Sequence, residues 1–377
     1  MQRGAAAHID LNSLAHNLGV VRACAPASAV YAVVKADAYG HGAVEISKTL
    51  AAAGADRLVV AFCHEAAPIR EAGLKKPILV MFDPDPDEVS KYHLIPVISD
   101  LRSAERLSAM AKAKDIKLPV HIKVDTGMGR LGITDDAEKK ISDIASLHGI
   151  TVEGLLSHLS ESESADHEFS RRQIECLRDL RVRLEQRGLA IPYCHMANSG
   201  GILGITDSHF DAVRPGLMLY GYGPGKQAGS RKPETASQTL RPVMKLTTRI
   251  VSLRKIAAGS PVSYNRTFTT KRDSLIAAVS LGYADGYSVA FSNNSEMLVR
   301  GRRVPVIGRV CMDICMIDLT DINGVNEDDE VVVIGQQDGE CITAAELASR
   351  AGTHTYEILT SLGSRAKRVY SSMKSGG

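Results

Sequence analysis

Eight short runs of apolar and β-branched residues recur through the first 221 residues, and helix-length amphipathic stretches or turns separate them. Continuous apolar strands that alternate with helices predict a parallel sheet covered on both faces. Eight such units in about 220 residues favour a (β/α)8 barrel over a doubly wound open sheet, whose roughly six strands fit the count less well. The runs are VYAVVKA (30–36), RLVVAF (57–62), PILVMF (77–82), LIPVIS (94–99), LPVHIKVD (118–125), TVEGLLSHL (151–159), IPYCHMAN (191–198) and AVRPGLMLYG (212–221).

The pattern changes after the eighth run. Residues 222–242 are rich in glycine, proline and polar residues, which is typical of a linker. Short β-like runs make up most of the chain beyond it, and only TAAELASRAG is predicted to be helical, with Thr343 as its N-cap and Gly352 at its end. We therefore predict a (β/α)8 barrel domain over 1–236 and a mainly β domain, a barrel or a sandwich, over 237–377.

Charge and composition exclude several classes of function. Among the 377 residues, 45 Lys and Arg nearly balance 43 Asp and Glu, which argues against a nucleic-acid-binding protein. No apolar run is long enough for a membrane span, and the N-terminus lacks a signal-peptide core, so we expect no membrane partner and a cytoplasmic location. The seven cysteines form no CxxC pair, and no histidine has zinc spacing beside Cys311 and Cys315, so we expect reduced thiols and no metal.

Charged and hydrogen-bonding side chains follow the predicted barrel strands at their carboxyl ends, where barrel enzymes carry their active sites. Cations and glycine-bearing turns predominate there, which predicts a site for an anionic, phosphorylated ligand. Lys35 ends an apolar strand, so partial desolvation would lower its pKa and make it a nucleophile or a Schiff-base former. The strand-end residues are Lys35, Lys123, Asp125, Arg130, His158, His195, Asn198, Ser199, Arg214 and Gly216.

Seven sequence blocks occur in an order that resembles the alanine racemases, which are fold-type III pyridoxal-phosphate enzymes. The resemblance extends from about residue 8 to residue 370, across both predicted domains. A single block would be a moderate signal, whereas seven blocks in register are very specific. The blocks are VVKADAYGHG, HIKVDTGMGRLG, HMANSGG, VRPGLMLYG, VSYNRTF, GYADGY and GRVCMD.

The resemblance implies pyridoxal 5'-phosphate as the cofactor, held covalently by Lys35. Arg214 matches the arginine that faces the pyridine nitrogen, and His158 matches the histidine that links this arginine to the catalytic tyrosine. Because arginine does not donate its proton at neutral pH, the ring nitrogen should stay unprotonated, which favours racemisation over transamination. The phosphate-binding set implied by the resemblance is Tyr39, Ser199, Gly216, Leu217 and Tyr356.

The resemblance also implies the reaction, which is the interconversion of L-alanine and D-alanine that supplies D-alanine for peptidoglycan. Lys35 and Tyr264 match two bases on opposite faces of the substrate. The family's head-to-tail homodimer completes each barrel with the partner's β domain, so Tyr264 would act on the other chain's substrate. Four residues match substrate-contacting and entry positions, and Lys123 matches a lysine that is often carbamylated and then orients the substrate-binding arginine. The four residues are Arg130, Met312, Tyr283 and Asp313.

Two departures from the family pattern affect the substrate entry. Asn265 stands where glycine is common, and the usual Pro-Arg is missing after Tyr287. Both leave the substrate range open, so serine or a longer amino acid is an alternative to alanine. An amino-acid decarboxylase of the same fold type is disfavoured by Arg214, because those enzymes place an acid at that position. A non-catalytic pyridoxal-phosphate carrier is disfavoured because such relatives resemble the barrel alone.

Overall fold

The computed structural model describes residues 4–164, 166–223, 240–363 and 365–371. These residues form two compact units that do not follow the order of the chain. The barrel unit contains the described residues of Leu14–Ala38 and Ala43–Arg241. The β unit contains the described residues of Met1–Ser13, Tyr39–Gly42 and Pro242–Gly377. The predicted boundary at 236/237 and most of the predicted linker lie outside the described residues.

Eight parallel strands of the barrel unit close into a barrel, which confirms the predicted fold. Each predicted apolar run contributes one strand, and the barrel closes where Ala29 and Val30 of the first strand pair with Ala212 and Val213 of the last. Tyr31, Val59, Leu79 and other strand residues pack into one buried cluster. The strands are β2 (Ala29–Val33), β3 (Arg57–Val60), β4 (Ile78–Val80), β5 (Ile95–Ile98), β6 (Leu118–Lys123), β7 (Ile150–Leu156), β8 (Tyr193–His195) and β9 (Ala212–Val213).

Amphipathic helices connect these strands. In Leu101–Ala113 the buried residues include Ala104, Leu107 and Ala111, at the spacing of one helical face, and Asp100 caps the helix by accepting from the Ser103 N–H at 2.8 Å. Among the described residues, no helix is both long enough and apolar enough to cross a bilayer. The helices before residue 223 are Leu11–Cys24, Ala43–Ala52, Cys63–Glu71, Pro86–Lys91, Leu101–Ala113, Ala137–Ala145, Glu168–Gln186 and Ser199–Gly204.

The β unit is built on a nine-stranded sheet, in the order β18-β17-β14-β15-β16-β13-β10-β1-β19. Strand β10 also pairs with β17, so six of the strands form a closed ring. Register shifts within β10 let this 13-residue strand bend and pair with both β13 and β17. The strands are β1 (Ala6–Asp10), β10 (Met244–Ile256), β11 (Pro261–Val262), β12 (Phe268–Thr269), β13 (Ser274–Val279), β14 (Glu296–Val299), β15 (Arg302–Ile307), β16 (Cys315–Asp318), β17 (Glu330–Gln337), β18 (Glu340–Ile342) and β19 (Lys367–Ser371).

Two helices interrupt the strands of the β unit. Thr343 caps Ala344–Ala351 by accepting from the Glu346 N–H at 3.0 Å, and Gly352 ends this helix with φ of +68°, as predicted. The expectation of a single helix in this half was wrong, because Thr355–Leu362 is also helical. The helical pattern is weak there, because the segment is only eight residues long and begins after His354, whose side chain forms no cap.

Candidate active site

Lys35 lies two residues beyond the end of β2, at the start of an unusual turn. The next three residues have left-handed backbone conformations, with φ between +51° and +54° for Ala36, Asp37 and Ala38. This conformation is energetically unfavourable for residues other than glycine, so the turn needs stabilising contacts from other parts of the chain. Glu65 provides one by accepting from the Ala36 N–H at 2.8 Å, and Asp37 accepts from the Ala43 N–H at 2.7 Å.

A cluster of cations surrounds Lys35. Burial, and then the charge of Arg130, lower the pKa of Lys35, although Glu65 opposes the change. The side chain of Lys123 is 2% exposed, and its Nζ has no hydrogen-bonding partner among the described residues. Burial and the charges of Arg130, Arg214 and Lys35 lower the pKa of Lys123 to about 8. Lys123 Nζ and Arg130 Cζ lie 5.4 and 5.7 Å from the centre of the Phe82 ring.

Asp125 organises the loop that carries Arg130. Its carboxylate accepts from the backbone N–H groups of Gly127 at 2.9 Å, Met128 at 2.7 Å and Arg130 at 3.0 Å. Burial alone would raise the pKa of Asp125, but these N–H groups hold it below its ordinary value. The carboxylate therefore stabilises the loop, and no acid among the described residues lies within hydrogen-bonding distance of Lys123 Nζ.

Arg214 follows β9 and is 4% exposed. Its Nη2 donates to the carbonyls of Ser157 at 2.7 Å and Met196 at 3.0 Å and to Nδ1 of His158 at 3.1 Å, while Nη1 donates to Nδ1 of His195 at 2.5 Å. Burial lowers its pKa to about 10, so the guanidinium is still a cation at neutral pH. Burial and the neighbouring Arg214 keep the pKa values of His158 and His195 well below the ordinary value.

Ser199 contacts the backbone of the turn that follows Arg214, and this turn contains Gly216 and Leu217. Ser199 starts the helix Ser199–Gly204, and Asn198 caps this helix by accepting from the Gly201 N–H at 3.0 Å. The Ser199 hydroxyl accepts from the Gly216 N–H at 3.1 Å and from the Met218 N–H at 3.2 Å. This arrangement ties the start of the helix to the turn after β9, at the end of the barrel strands where barrel enzymes commonly bind phosphate.

Tyr39 and Tyr356 lie in the β unit, with their ring centres 5.9 Å apart. Tyr39 is 6% exposed, and burial raises its pKa. The two residues are 317 positions apart in the sequence, so only the fold brings them together. The structure thus divides the expected phosphate-binding set between residues of the barrel unit and this tyrosine pair.

Tyr264 belongs to the β unit and is 66% exposed. The residues on both sides of it have left-handed φ values, +66° for Ser263 and +60° for Asn265. With ψ of −175°, Ser263 adopts a conformation that is almost confined to glycine, and such strain persists only where neighbours enforce it. The Ser263 hydroxyl donates to the Arg309 carbonyl at 2.6 Å and lies 3.6 Å from the Cys311 sulfur.

Tyr283, Met312 and Asp313 lie on two loops of the β unit that are joined through their backbones. The Tyr283 N–H donates to the Cys311 carbonyl at 3.0 Å, and the Ala284 N–H donates to the Met312 carbonyl at 2.9 Å. A side chain at Gly282 would clash with these carbonyls, since a Cβ there would lie 2.2 Å from the Met312 oxygen. Met312 and Tyr283 are 54% and 45% exposed.

Arg365 secures the same pair of loops. Its guanidinium lies 3.1 Å from a carboxylate oxygen of Asp313 and 3.4 Å from one of Asp285. Asp285 in turn accepts from the Gly282 N–H at 3.0 Å. The ion pairs hold Asp313 beside the GYADGY segment without burying it.

Five residues of the barrel unit were missed by the sequence reasoning. Phe82 and Glu65 contact the cations and the turn described above, and their sequence positions gave no chemical signal. The other three connect to Arg214 through His195, and only one of them, His121, is fully buried. One signal was available, since His121 lies two residues before Lys123 on β6 and should share its face. The three residues are Arg57, His121 and Glu153.

Comparisons with known proteins agree with this architecture. The family model for the alanine racemase N-terminal domain matches residues 9–224, and that for the C-terminal domain matches residues 243–370. An alanine racemase of Thermodesulfovibrio yellowstonii is 47% identical over 374 residues, which cover 98% of each chain. A solved alanine racemase of Clostridium difficile superposes with a TM-score of 0.91 at 31% identity, over 99% of this chain and 97% of the other.

A third relative is the solved alanine racemase of Bartonella henselae, described as having covalently bound pyridoxal phosphate. It has a TM-score of 0.86 at 31% identity, and the match covers 98% of this chain and 100% of the other. The closed eight-stranded barrel and the mainly β unit match the architecture of these solved enzymes, and Lys35 and Arg214 follow strands of the barrel. The chain belongs to the alanine racemase family, and it is an isomerase of that family.

Proposed function

We propose that this enzyme interconverts L-alanine and D-alanine with pyridoxal 5'-phosphate as its cofactor and with Lys35 and Tyr264 as its two bases. The observation that carries the proposal is a lysine of lowered pKa at the end of the first barrel strand, in the same unit as the buried cation Arg214. The relatives that match over the full chain support the substrate, since they are alanine racemases.

The residues of the barrel unit suit this cofactor. Lys35 would hold it covalently, and Ser199, Gly216 and Leu217 would receive its phosphate. Three of the polar contacts of Arg214 fix its Nη2, and the guanidinium would face the pyridine nitrogen. When bound, the cofactor withdraws electron density from the substrate and makes the Cα–H bond more acidic.

Lys35 would accept or deliver the proton on one face of the substrate Cα. Its lowered pKa increases the uncharged fraction of the amine, which is the form that acts as a base. Arg130 lowers this pKa and is also the residue proposed to bind the substrate carboxylate. Neutralisation of Arg130 by that carboxylate would therefore adjust the basicity of Lys35 when substrate binds.

Tyr264 would serve the opposite face from a second copy of the chain. An ordinary phenol is a poor base, so its anion needs a hydrogen-bond donor. Arginine has no acceptor atom, so Nδ1 of His158 must accept from Arg214, and the proton of the neutral imidazole must then be on Nε2. We assign this Nε2–H to the stabilisation of the Tyr264 phenolate.

A head-to-tail homodimer would bring the two bases to one substrate. Tyr264, Tyr283 and Met312 are between 45% and 66% exposed, and large exposed side chains that cluster on one face are typical of an interface. A closed two-fold dimer would give two equivalent sites, each made from one barrel and the partner's β unit. Met312, Tyr283 and Asp313 would then line the entry to the partner's substrate.

Lys123 is proposed to carry a carbamate. With a pKa of about 8, roughly a tenth of its amine is uncharged at pH 7. The neutral amine would add to CO2, forming an N–C bond and releasing one proton, and the resulting carboxylate would be an anion among cations. The modification would remove the unpartnered ammonium of Lys123, and the new carboxylate would orient Arg130.

The biological role that we propose is the supply of D-alanine for peptidoglycan in the cytoplasm. The test of the reaction is incubation with a panel of L-amino acids, followed by chiral chromatography. We expect D-alanine as the main product. Serine or a longer amino acid as the preferred substrate would contradict the assignment and would agree with the altered entry at Asn265.

The two-base mechanism is tested with Tyr264→Phe in deuterated water. The substitution keeps the ring and removes the phenol, so racemisation should collapse. Exchange of the α-hydrogen of one enantiomer, D-alanine by family stereochemistry, should persist through Lys35. Equal loss of exchange for both enantiomers would reject two separate bases, and the matched control is Tyr92→Phe on the barrel unit.

A further inference from the structure

A line of polar side chains runs through the interior of the barrel unit from Arg214. Nη1 of Arg214 lies 2.5 Å from Nδ1 of His195, and Nε2 of His195 lies 2.8 Å from Nδ1 of His121. Nε2 of His121 is 3.8 Å from Oε1 of Glu153, which is also ion-paired with Arg57. Both imidazoles are fully buried, and the active-site roles proposed above use neither.

The chemistry of the donors fixes every proton in this line. Arg214 can only donate, so Nδ1 of His195 accepts and its proton must be on Nε2. Nε2–H of His195 then donates to Nδ1 of His121, so the proton of His121 must also be on Nε2. That N–H faces the carboxylate of Glu153. The donors in the line therefore all point from the Arg214 cation toward the Glu153 anion. Neither imidazole can move its proton to Nδ1 without breaking a hydrogen bond to its neighbour.

Glu153 is the anion at the far end of this line. The charges that affect Lys123 near Arg214 are mostly positive, from Arg130, Arg214 and Lys35. The facing His121 and the Arg57 guanidinium hold the pKa of Glu153 below its ordinary value, although burial opposes this.

Aromatic rings fix the far end of the line. The Arg57 guanidinium lies 5.2 Å from the centre of the Tyr31 ring and 4.9 Å from that of Tyr193. Its side chain is 13% exposed and that of Glu153 is 20% exposed, so solvent weakens their attraction only in part. The carboxylate is thus anchored where it can face His121.

We propose that His195, His121 and Glu153 are positioning residues that orient Arg214 toward the cofactor ring and prevent any proton from reaching the ring through it. The proposal rests on the function proposed for Arg214 above. Because His195 has its only proton on the side away from Arg214, it cannot pass one to the arginine or onward. Loss of the anion at the end of the line should let the two imidazoles and Arg214 adopt other orientations.

Nitrogen-15 spectra of histidine-labelled protein test the direction of the line, with and without the cofactor. We expect protonated Nε2 and unprotonated Nδ1 for both His195 and His121, with the His121 signals assigned by their loss in His121→Asn. A proton on Nδ1 of either ring would overturn the proposal. Absence of racemisation by the wild type would reject the proposed function instead, and it would leave these spectra unchanged.

Glu153→Gln tests the role of the anion because it keeps the size and removes the charge. We expect the dissociation constant of pyridoxal phosphate, measured by equilibrium dialysis, to rise about tenfold, and kcat for alanine to fall about tenfold with little change in KM. Glu153→Asp, which keeps the charge, should recover part of both losses. Wild-type values in Glu153→Gln would overturn the proposal, and if that variant does not fold, the wild-type spectra still decide it.

Glu138→Gln is the matched control. Glu138 is also ion-paired, with Arg183 and Arg187 on the surface of the barrel unit, and its side chain is 26% exposed against 20% for Glu153. We expect its dissociation constant, kcat and spectra to match the wild type. Equal changes in both variants would mean that Glu153 acts only through general stability, and this would overturn the positioning role.

Discussion

Replacing Lys123 with methionine should make the protein more stable when CO2 is absent. The side chain is 2% exposed and its Nζ has no partner among the described residues, so folding buries an uncompensated ammonium. A drop of the pKa from 10.5 to about 8 corresponds to at most about 3.5 kcal/mol, at about 1.4 kcal/mol for each pKa unit. Methionine fills similar space without a charge, and we expect a gain of about 1 to 3 kcal/mol.

The stability gained by Lys123→Met should depend on pH. Below pH 8 the amine is charged in both the folded and unfolded states, so the wild type bears the full cost. Between pH 8 and 10.5 the unfolded state binds more protons than the folded state, so the stability of the wild type rises with pH. The advantage of Lys123→Met should therefore be largest at pH 7 and fade as the pH approaches 10.5.

Urea denaturation in CO2-free buffer at pH 7 and pH 9.5 measures the difference, with Lys48→Met as the control. Lys48 is exposed and paired with Glu45, so its replacement should change stability by less than about 0.5 kcal/mol. Addition of 13C-labelled bicarbonate should then stabilise the wild type alone and give a carbamate signal that Lys123→Met lacks. A variant no more stable than the wild type at pH 7 would refute the buried-charge argument, and absence of the signal would refute the carbamate.

Three further predictions concern the two bases and the turn around Tyr264. Lys35→Ala should lose the visible absorbance of the covalently bound cofactor and essentially all racemisation, whereas Lys48→Ala should keep both; persistence of the absorbance after dialysis would mean that another lysine holds the cofactor. Lys35→Ala and Tyr264→Ala should complement each other after subunit exchange, because mixed dimers leave about one site in four intact. If labelled chains exchange and activity stays near zero, both bases serve the same chain's site. The free energy of unfolding of Asn265→Gly should lie within about 0.5 kcal/mol of that of the wild type. Asn265→Val should be less stable by about 1 to 2 kcal/mol, because φ of +60° suits glycine and asparagine but not a β-branched residue. Equal stability of the two variants, measured by thermal denaturation, would show that this backbone conformation is not required.

The departure at Asn265 illustrates how structure explains a sequence difference. The family position commonly holds glycine, and the structure gives Asn265 a left-handed conformation. Asparagine tolerates this region better than most side chains, so it can occupy this position of the turn beside Tyr264. The missing Pro-Arg after Tyr287 has no comparable explanation in the structure.

The sequence by itself determined the barrel and the position of Lys35 after its first strand. Apolar runs that alternate with amphipathic helices depend on local periodicity, so all eight barrel strands could be predicted from the chain alone. Strand ends are local as well, and side chains that follow parallel strands gather at one end of a barrel. The positions of Lys35, Lys123 and Arg214 at the ends of barrel strands could therefore be predicted from the sequence.

Only the tertiary structure decided which residues that are distant in the sequence contact one another. Strand β1 is five residues long, and it pairs with residues 244–247 and 367–371, so no local pattern could assign it to the β unit. Likewise, His121 and Glu153 resemble ordinary positions in two strands until the barrel closes and places His195 next to His121. Local sequence sets the direction in which a side chain points, but burial, partners and protonation depend on chain segments that meet only in the folded state.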